Sequence, residues 1–180
     1  MGITHKSFTL MELIVAVGII GLIIPAIFGI FFAIIRQQLV LVSYQEMKYQ
    51  GDSVQRNIKN VLQNSAADIT DNTYLATDMC PLTTTPTPTY FPNLYINDRD
   101  GNHVKLYQEG ISPNRIASDS ASKTYYLTTK DVVVTQLGFT CYRINEFTPA
   151  IVSAKFTVQK STVFSDISLP YSFNVRLRNY

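Results

Sequence analysis

Apolar residues fill positions 13–35 of the chain, and no charged residue occurs between Glu12 and Arg36. A helix rises about 1.5 Å per residue, so this stretch spans roughly 35 Å, enough to cross a bilayer core of about 30 Å. A core helix of a soluble protein keeps a polar face. This run is apolar all round, which predicts a membrane span. Gly18, Gly21, Pro25 and Gly29 interrupt its Leu/Ile/Phe background. Membrane helices tolerate such breaks, and small residues let neighbouring helices approach closely.

After Arg36 the pattern changes but the helix is expected to continue, because no turn cluster intervenes. Val40, Tyr44, Met47, Gly51, Val54, Ile58 and Val61 recur at 4-3 spacing, which makes one stripe of an amphipathic helix. Gln45, Lys48, Asp52, Arg56 and Lys59 occupy the opposite face. Gly51 costs a helix about 1 kcal/mol against Ala. Its place on the apolar stripe predicts that a sheet comes close there. Asn, Ser, Asp and Thr cluster at residues 64–71, where the helix is expected to fray.

Beyond Tyr90 the period drops to two. Leu94 and Ile96, then a turn at residues 97–102, then Val104 and Leu106 predict a hairpin. Residues 125–127, 132–134 and 137–143 supply further strands. Val152, Ala154, Phe156 and Val158 alternate with Ser153, Lys155, Thr157 and Gln159, and Phe173, Val175 and Leu177 alternate with Asn174, Arg176 and Arg178. Each segment gives a sheet one apolar and one wet face. The helical stripe of residues 40–61 can cover the apolar face. The predicted class is α+β, a long N-terminal helix packed on an antiparallel sheet.

Length and charge narrow the function. The chain has 180 residues and a formal net charge of +2. Such a chain suits one anchored domain, and its charge is too small and scattered to imply nucleic acid by itself. His5 and Lys6 precede the span with no acid among residues 1–7, which predicts a cytoplasmic N-terminus and an external body. The apolar run is longer than the 7–15 residues of a secretory signal, and no Ala-x-Ala follows it. Glu12 lies just inside the edge of the run. An acid in a span costs on the order of 2.5–3.5 kcal/mol at the centre and less near the interface, so Glu12 either reaches headgroup water or has a partner.

The stretch Lys6-Ser7-Phe8-Thr9-Leu10-Met11-Glu12-Leu13, followed by a long apolar helix, resembles the class III signal of type IV prepilins and type II secretion pseudopilins. The resemblance covers residues 6 to about 38. It implies cleavage of the Ser7–Phe8 bond by a membrane-embedded prepilin peptidase, N-methylation of Phe8, and Glu12 as the fifth mature residue. Ser7 stands where most members have Gly. The resemblance implies a leader at residues 1–7, a transmembrane half-helix at 8–35, an amphipathic half at 36–66 and an extracytoplasmic pilin-fold head at 67–180. It also implies an assembly role for Glu12, which in the family pairs with a neighbour's first amine. The expected partners are other pilin subunits, the prepilin peptidase, the pilus assembly platform and, before assembly, membrane lipid. Residues 127–139 and 173–179 look similar to strand segments of the larger minor pilins and J-type pseudopilins. That likeness, with Pro25 off the family's usual place, points to a minor, initiating subunit rather than a major pilin.

Two cysteines, Cys80 and Cys141, fall in the part predicted to lie outside, where thiols oxidise. A bridge would tie the loop after the helix to a core strand; the alternative is a pair of free thiols, one buried and one exposed. Thr83-Thr84-Thr85-Pro86-Thr87-Pro88-Thr89 has extended loop chemistry, and is either a plain polar connector or an O-glycan acceptor.

No catalytic constellation emerges, and no cofactor is expected. The histidines are His5, in the leader, and His103, beside a turn. With two Cys they make no familiar zinc set. Asp98, Asp100 and Gly101, with Glu109 downstream, faintly resemble a calcium loop, but the glycine is misplaced for one and a hairpin turn is the default. Two other functions remain open beside a filament subunit. One is a competence-pilus subunit touching DNA through Lys155, Arg176 and Arg178. The other is a membrane-anchored extracytoplasmic sensor that keeps residues 1–7.

Overall fold

The computed structural model describes residues 9–70, 72, 80–83, 90–110, 114–120, 123–162 and 166–178. The long helix α1 runs Leu10–Asn60, and a π-helical turn follows at Val61–Ser65. Eight strands come next among the described residues: β1 Ala66–Thr70, β2 Asn93–Asp98, β3 His103–Gln108, β4 Ile116–Ser120, β5 Lys123–Tyr126, β6 Val133–Tyr142, β7 Ile151–Ser161 and β8 Asp166–Arg176. The chain forms two units, Met1–Val42 and Ser43–Tyr180.

In the first unit, every helical residue from 10 to 39 is exposed. One helix is thus long and apolar enough to cross a membrane, and none of its apolar window is buried. Pro25 lies inside the helix.

In the second unit, the predicted stripe of α1 meets the core. Met47, Gly51, Val54 and Ile58 are buried, while Val61 is half-buried and Tyr44 is exposed. The α-helical part ends at Asn60, and the π-helical turn carries the helix to Ser65, close to the expected end near residue 66. The amide of Ala66 donates to the carbonyl of Val61, and Ala66 is already extended. Where fraying was expected, β1 pairs with β2. The pairing overrides the weak strand preference of Ala-Ala-Asp-Ile-Thr, because Ala66 and Ile69 bury themselves in the core.

Two antiparallel sheets replace the single sheet expected. The first is a five-stranded meander in chain order, β1 to β5. The second contains β6, β7 and β8 in that order. The predicted hairpin is present as β2 and β3, with Ile96 opposite Val104 and Leu94 opposite Leu106. Its turn closes by hydrogen bonds from Gly101 N–H to Asp98 O (3.0 Å) and Asp98 N–H to Asn102 O (2.8 Å). Gly101 adopts φ +77°, which glycine takes without strain. Among the described residues no group of three His, Cys, Asp or Glu side chains is placed to hold a metal ion.

The sheets separate because β6 follows its own course. The Gln108 side chain joins them: its Nε2 donates to Val134 O (3.1 Å) and its Oε1 accepts from Leu137 N–H (3.3 Å). The two segments at 132–134 and 137–143, predicted as separate strands, are one strand with a bulge. Register shifts between Thr135 and Gly138, and Gln136 takes a left-handed φ of 59°. The bulge changes the side-chain parity. Val134 before it and Phe139 and Cys141 after it all face the core, opposite Val158, Ala154 and Val152.

Three contacts fix the helix in the second unit. Lys160 pairs with Glu46. The Gln50 amide exchanges hydrogen bonds with Thr129, at 3.3 and 3.4 Å. The Tyr171 hydroxyl donates to Lys48 O at 3.2 Å, and its ring stacks on Phe156 with centroids 5.0 Å apart. Burial pushes the Tyr171 phenol up to about 12, with the Asp52 carboxylate adding to it.

Gly51 makes this packing possible, since a Cβ there would fall within the Tyr171 ring. Gly51→Ala gains about 1 kcal/mol of helix propensity. It also displaces a ring whose hydrogen bond and stacking are each worth about 1 kcal/mol. The expected result is net destabilisation of about 1 kcal/mol, turning to stabilisation when Tyr171→Ala is already present. Denaturant unfolding of the four proteins measures both signs. A stabilising Gly51→Ala in the otherwise unchanged protein would contradict the close approach.

Candidate assembly site

Thr9 and Glu12 open α1 with a reciprocal pair of contacts. The Glu12 amide donates to Thr9 Oγ1 at 3.3 Å, and the Thr9 amide donates to Glu12 Oε2 at 3.2 Å. The Thr9 hydroxyl also donates to Glu12 Oε2, at 3.2 Å. This Thr-x-x-Glu arrangement is a capping box, which satisfies helix amides that have no partner within the helix. A carboxylate at the N-terminus also suits the positive end of the helix dipole. Glu12 therefore has a local role that its position in the apolar run did not suggest. The signal was present in the sequence as Thr9 three residues before Glu12.

Met11, Leu13, Val15 and Ile19 surround Glu12 on the first turns, all exposed. The carboxylate thus sits at the polar end of an unbroken apolar surface. A carboxylate so placed can pair with a cation arriving at the helix end. Ser7 and Phe8, the predicted cleavage and methylation positions, lie outside the described residues, as do the rest of residues 1–7 and residues 84–89 of the Thr/Pro segment.

No family model, no curated protein and no solved structure matches this chain.

The two cysteines form a disulfide, Cys80 to Cys141, with Cα atoms 4.9 Å apart. Both are buried, so the pair of free thiols does not occur. Next to the bridge, the chain lies along the outer edge of β6. Arg143 N–H donates to Pro81 O (2.9 Å), and Thr83 N–H donates to Arg143 O (2.8 Å). Further along that edge, Phe91 and Phe139 exchange backbone hydrogen bonds of 2.7 and 2.9 Å. An open strand edge invites pairing with other chains, and these contacts occupy much of it.

The three basic residues considered for DNA, Lys155, Arg176 and Arg178, are all exposed. Arg176 is opposite Ile151 and Lys155 is opposite Ser172, so they are four positions apart along the ladder. Lys155 Nζ lies 5.2 Å above the ring of Tyr90. His103 bonds Asn97 across the hairpin, its Nδ1 2.7 Å from Asn97 Oδ1.

Proposed function

We propose that the chain is a structural subunit, of the minor or initiating kind, of a type IV pilus or type II secretion-like pseudopilus. The observation that carries this reading is the Lys6-to-Leu13 signal, whose last four residues open α1. The first half of that helix is apolar and exposed all round, and its second half is seated on antiparallel sheets. Such a helix has two environments that would cover its surface, lipid before assembly and other subunits after it. The subunit is held as a single-pass protein of the plasma membrane with its N-terminus in the cytoplasm. Prepilin peptidase cuts Ser7–Phe8 and methylates Phe8. The assembly platform then transfers the chain to an external filament, where Glu12 meets the amine of a neighbouring subunit. The external head, closed by a buried disulfide, suits an oxidising compartment.

Mass spectrometry of membrane-extracted protein tests this. The expected terminus is N-methyl-Phe8. An intact Met1 in a host with active peptidase would instead fit an anchored sensor. The same spectra from purified filaments give the copy number. A low count is expected, with filaments or secretion lost on deletion; dominance of this chain would make it a major pilin.

A further inference from the structure

β8 is an end strand of its sheet, paired on one side with β7. The Leu177 amide donates to Ala150 O at 2.9 Å, and the ladder pairs Ile151 with Arg176 and Ser161 with Asp166 with no shift between. Backbone groups along a strand alternate between its two edges. The amides of Ile167, Leu169, Tyr171, Phe173 and Val175 are therefore turned to β7, and those of Ser168, Ser172 and Asn174 to the outer edge. Among the described residues, none bonds to that edge. Pro170, opposite Thr157, belongs to the outer set, so its missing N–H takes no bond from the ladder.

An open edge is a template for a further strand, and proteins blunt such edges by shortness, charge, cover or proline. Much of the outer edge of β6 is covered, and β5 has only four residues and begins with Lys123. β8 has eleven residues, with apolar side chains at every second position and no charge between Asp166 and Arg176. Pro170 lies near its middle. We propose that Pro170 is an edge guard, which keeps β8 of one copy from pairing with β8 of a second copy. In the anchored state proposed above, copies held in one membrane meet at high local concentration, each with the same long, uncharged edge. A strand that pairs there meets a position without a donor, and one of its carbonyls is left unbonded.

The test uses the full chain in detergent micelles, and reads amide hydrogen exchange and sedimentation at a low and a high protein concentration. It involves neither processing nor filament entry, so its failure is distinct from failure of the assembly role. In the native protein the amides of Ser168, Ser172 and Asn174 are expected to exchange fast at both concentrations. Pro170→Thr supplies the donor and a strand-favouring side chain. It should slow exchange at Ser168 and Asn174 about tenfold at the high concentration only, with a heavier sedimenting species. Adding Ser172→Pro moves the missing donor to the next outer position and should restore fast exchange. Protection of the Val175 amide, which is turned to β7, shows that β8 keeps its ladder in each variant. Slow exchange at Ser168 and Ser172 in the native protein would overturn the open edge. Exchange in Pro170→Thr that stays fast at both concentrations would overturn the guard. So would failure of Ser172→Pro to restore it while Val175 stays protected.

Discussion

Glu12→Leu is expected to insert into the membrane and be cleaved normally, yet to be lost from filaments. Insertion survives because the change makes the start of the span more apolar. Loss of the capping box costs about 1 kcal/mol, small for a helix of 51 residues. Assembly is different. The proposed pairing puts Glu12 against the amine that cleavage creates on a neighbouring chain, in a setting of low dielectric. Breaking such a pair by removing one partner costs roughly 3–5 kcal/mol, because the other charge stays buried alone. At about 1.4 kcal/mol per factor of ten, incorporation falls on the order of 10²–10³-fold. Thr9→Ala separates the two roles of the residue. It removes the hydroxyl from the cap but keeps the carboxylate, and should still enter filaments. Quantitative mass spectrometry of filaments from cells expressing tagged wild type and variant together measures both. Normal entry of Glu12→Leu would leave the carboxylate with its capping role alone.

Replacing both cysteines by Ser is expected to cost the second unit 2–4 kcal/mol, within the range of about 2–5 for native bridges. The bridged residues are 61 apart in sequence. By the loop-entropy model, closing that loop in the unfolded chain stabilises the fold by about 4 kcal/mol. The loss should also be local. Without the bridge, the Pro81 and Thr83 hydrogen bonds to Arg143 are left to hold that segment on β6. The Thr83 amide is therefore expected to exchange with solvent much faster in the Ser variant than in the native protein. Amides in the centre of β7, paired on both sides, should lose protection only as far as global stability falls. Alkylation of both thiols in folded, unreduced native protein would refute the premise. Unchanged denaturant midpoints would refute the magnitude.

The sequence shows most clearly those elements whose side chains repeat with the period of one secondary structure. Met47, Gly51, Val54 and Ile58 are buried where helical spacing puts them, and Val152 to Val158 are buried at every second residue. Tyr44 continues the stripe in sequence but remains exposed, because a stripe predicts a direction and not the extent of the cover. β1 and β4 were not legible. Ile116 and Ala117 are consecutive and both buried, and the polar Ser118-Asp119-Ser120 follows, so no alternation marks the strand. β4 exists because β3 and β5 pair with it on either side. The capping box was legible, since both residues lie within one turn.

The bulge in β6 also bears on which chain lengths this fold can accept. Gln136 and Leu137 together face the single residue Phe156 across the ladder. Leu137 is buried and Gln136 is exposed, so Gln136 is the supernumerary residue. Its left-handed backbone costs a non-glycine residue about 1–2 kcal/mol. Removing it would let Val134 and Phe139 stay on one face of an unbulged strand. Removing any one residue of 139–142 would instead turn part of the strand inside out. Related chains that lack one residue in this strand should therefore lack it at position 136.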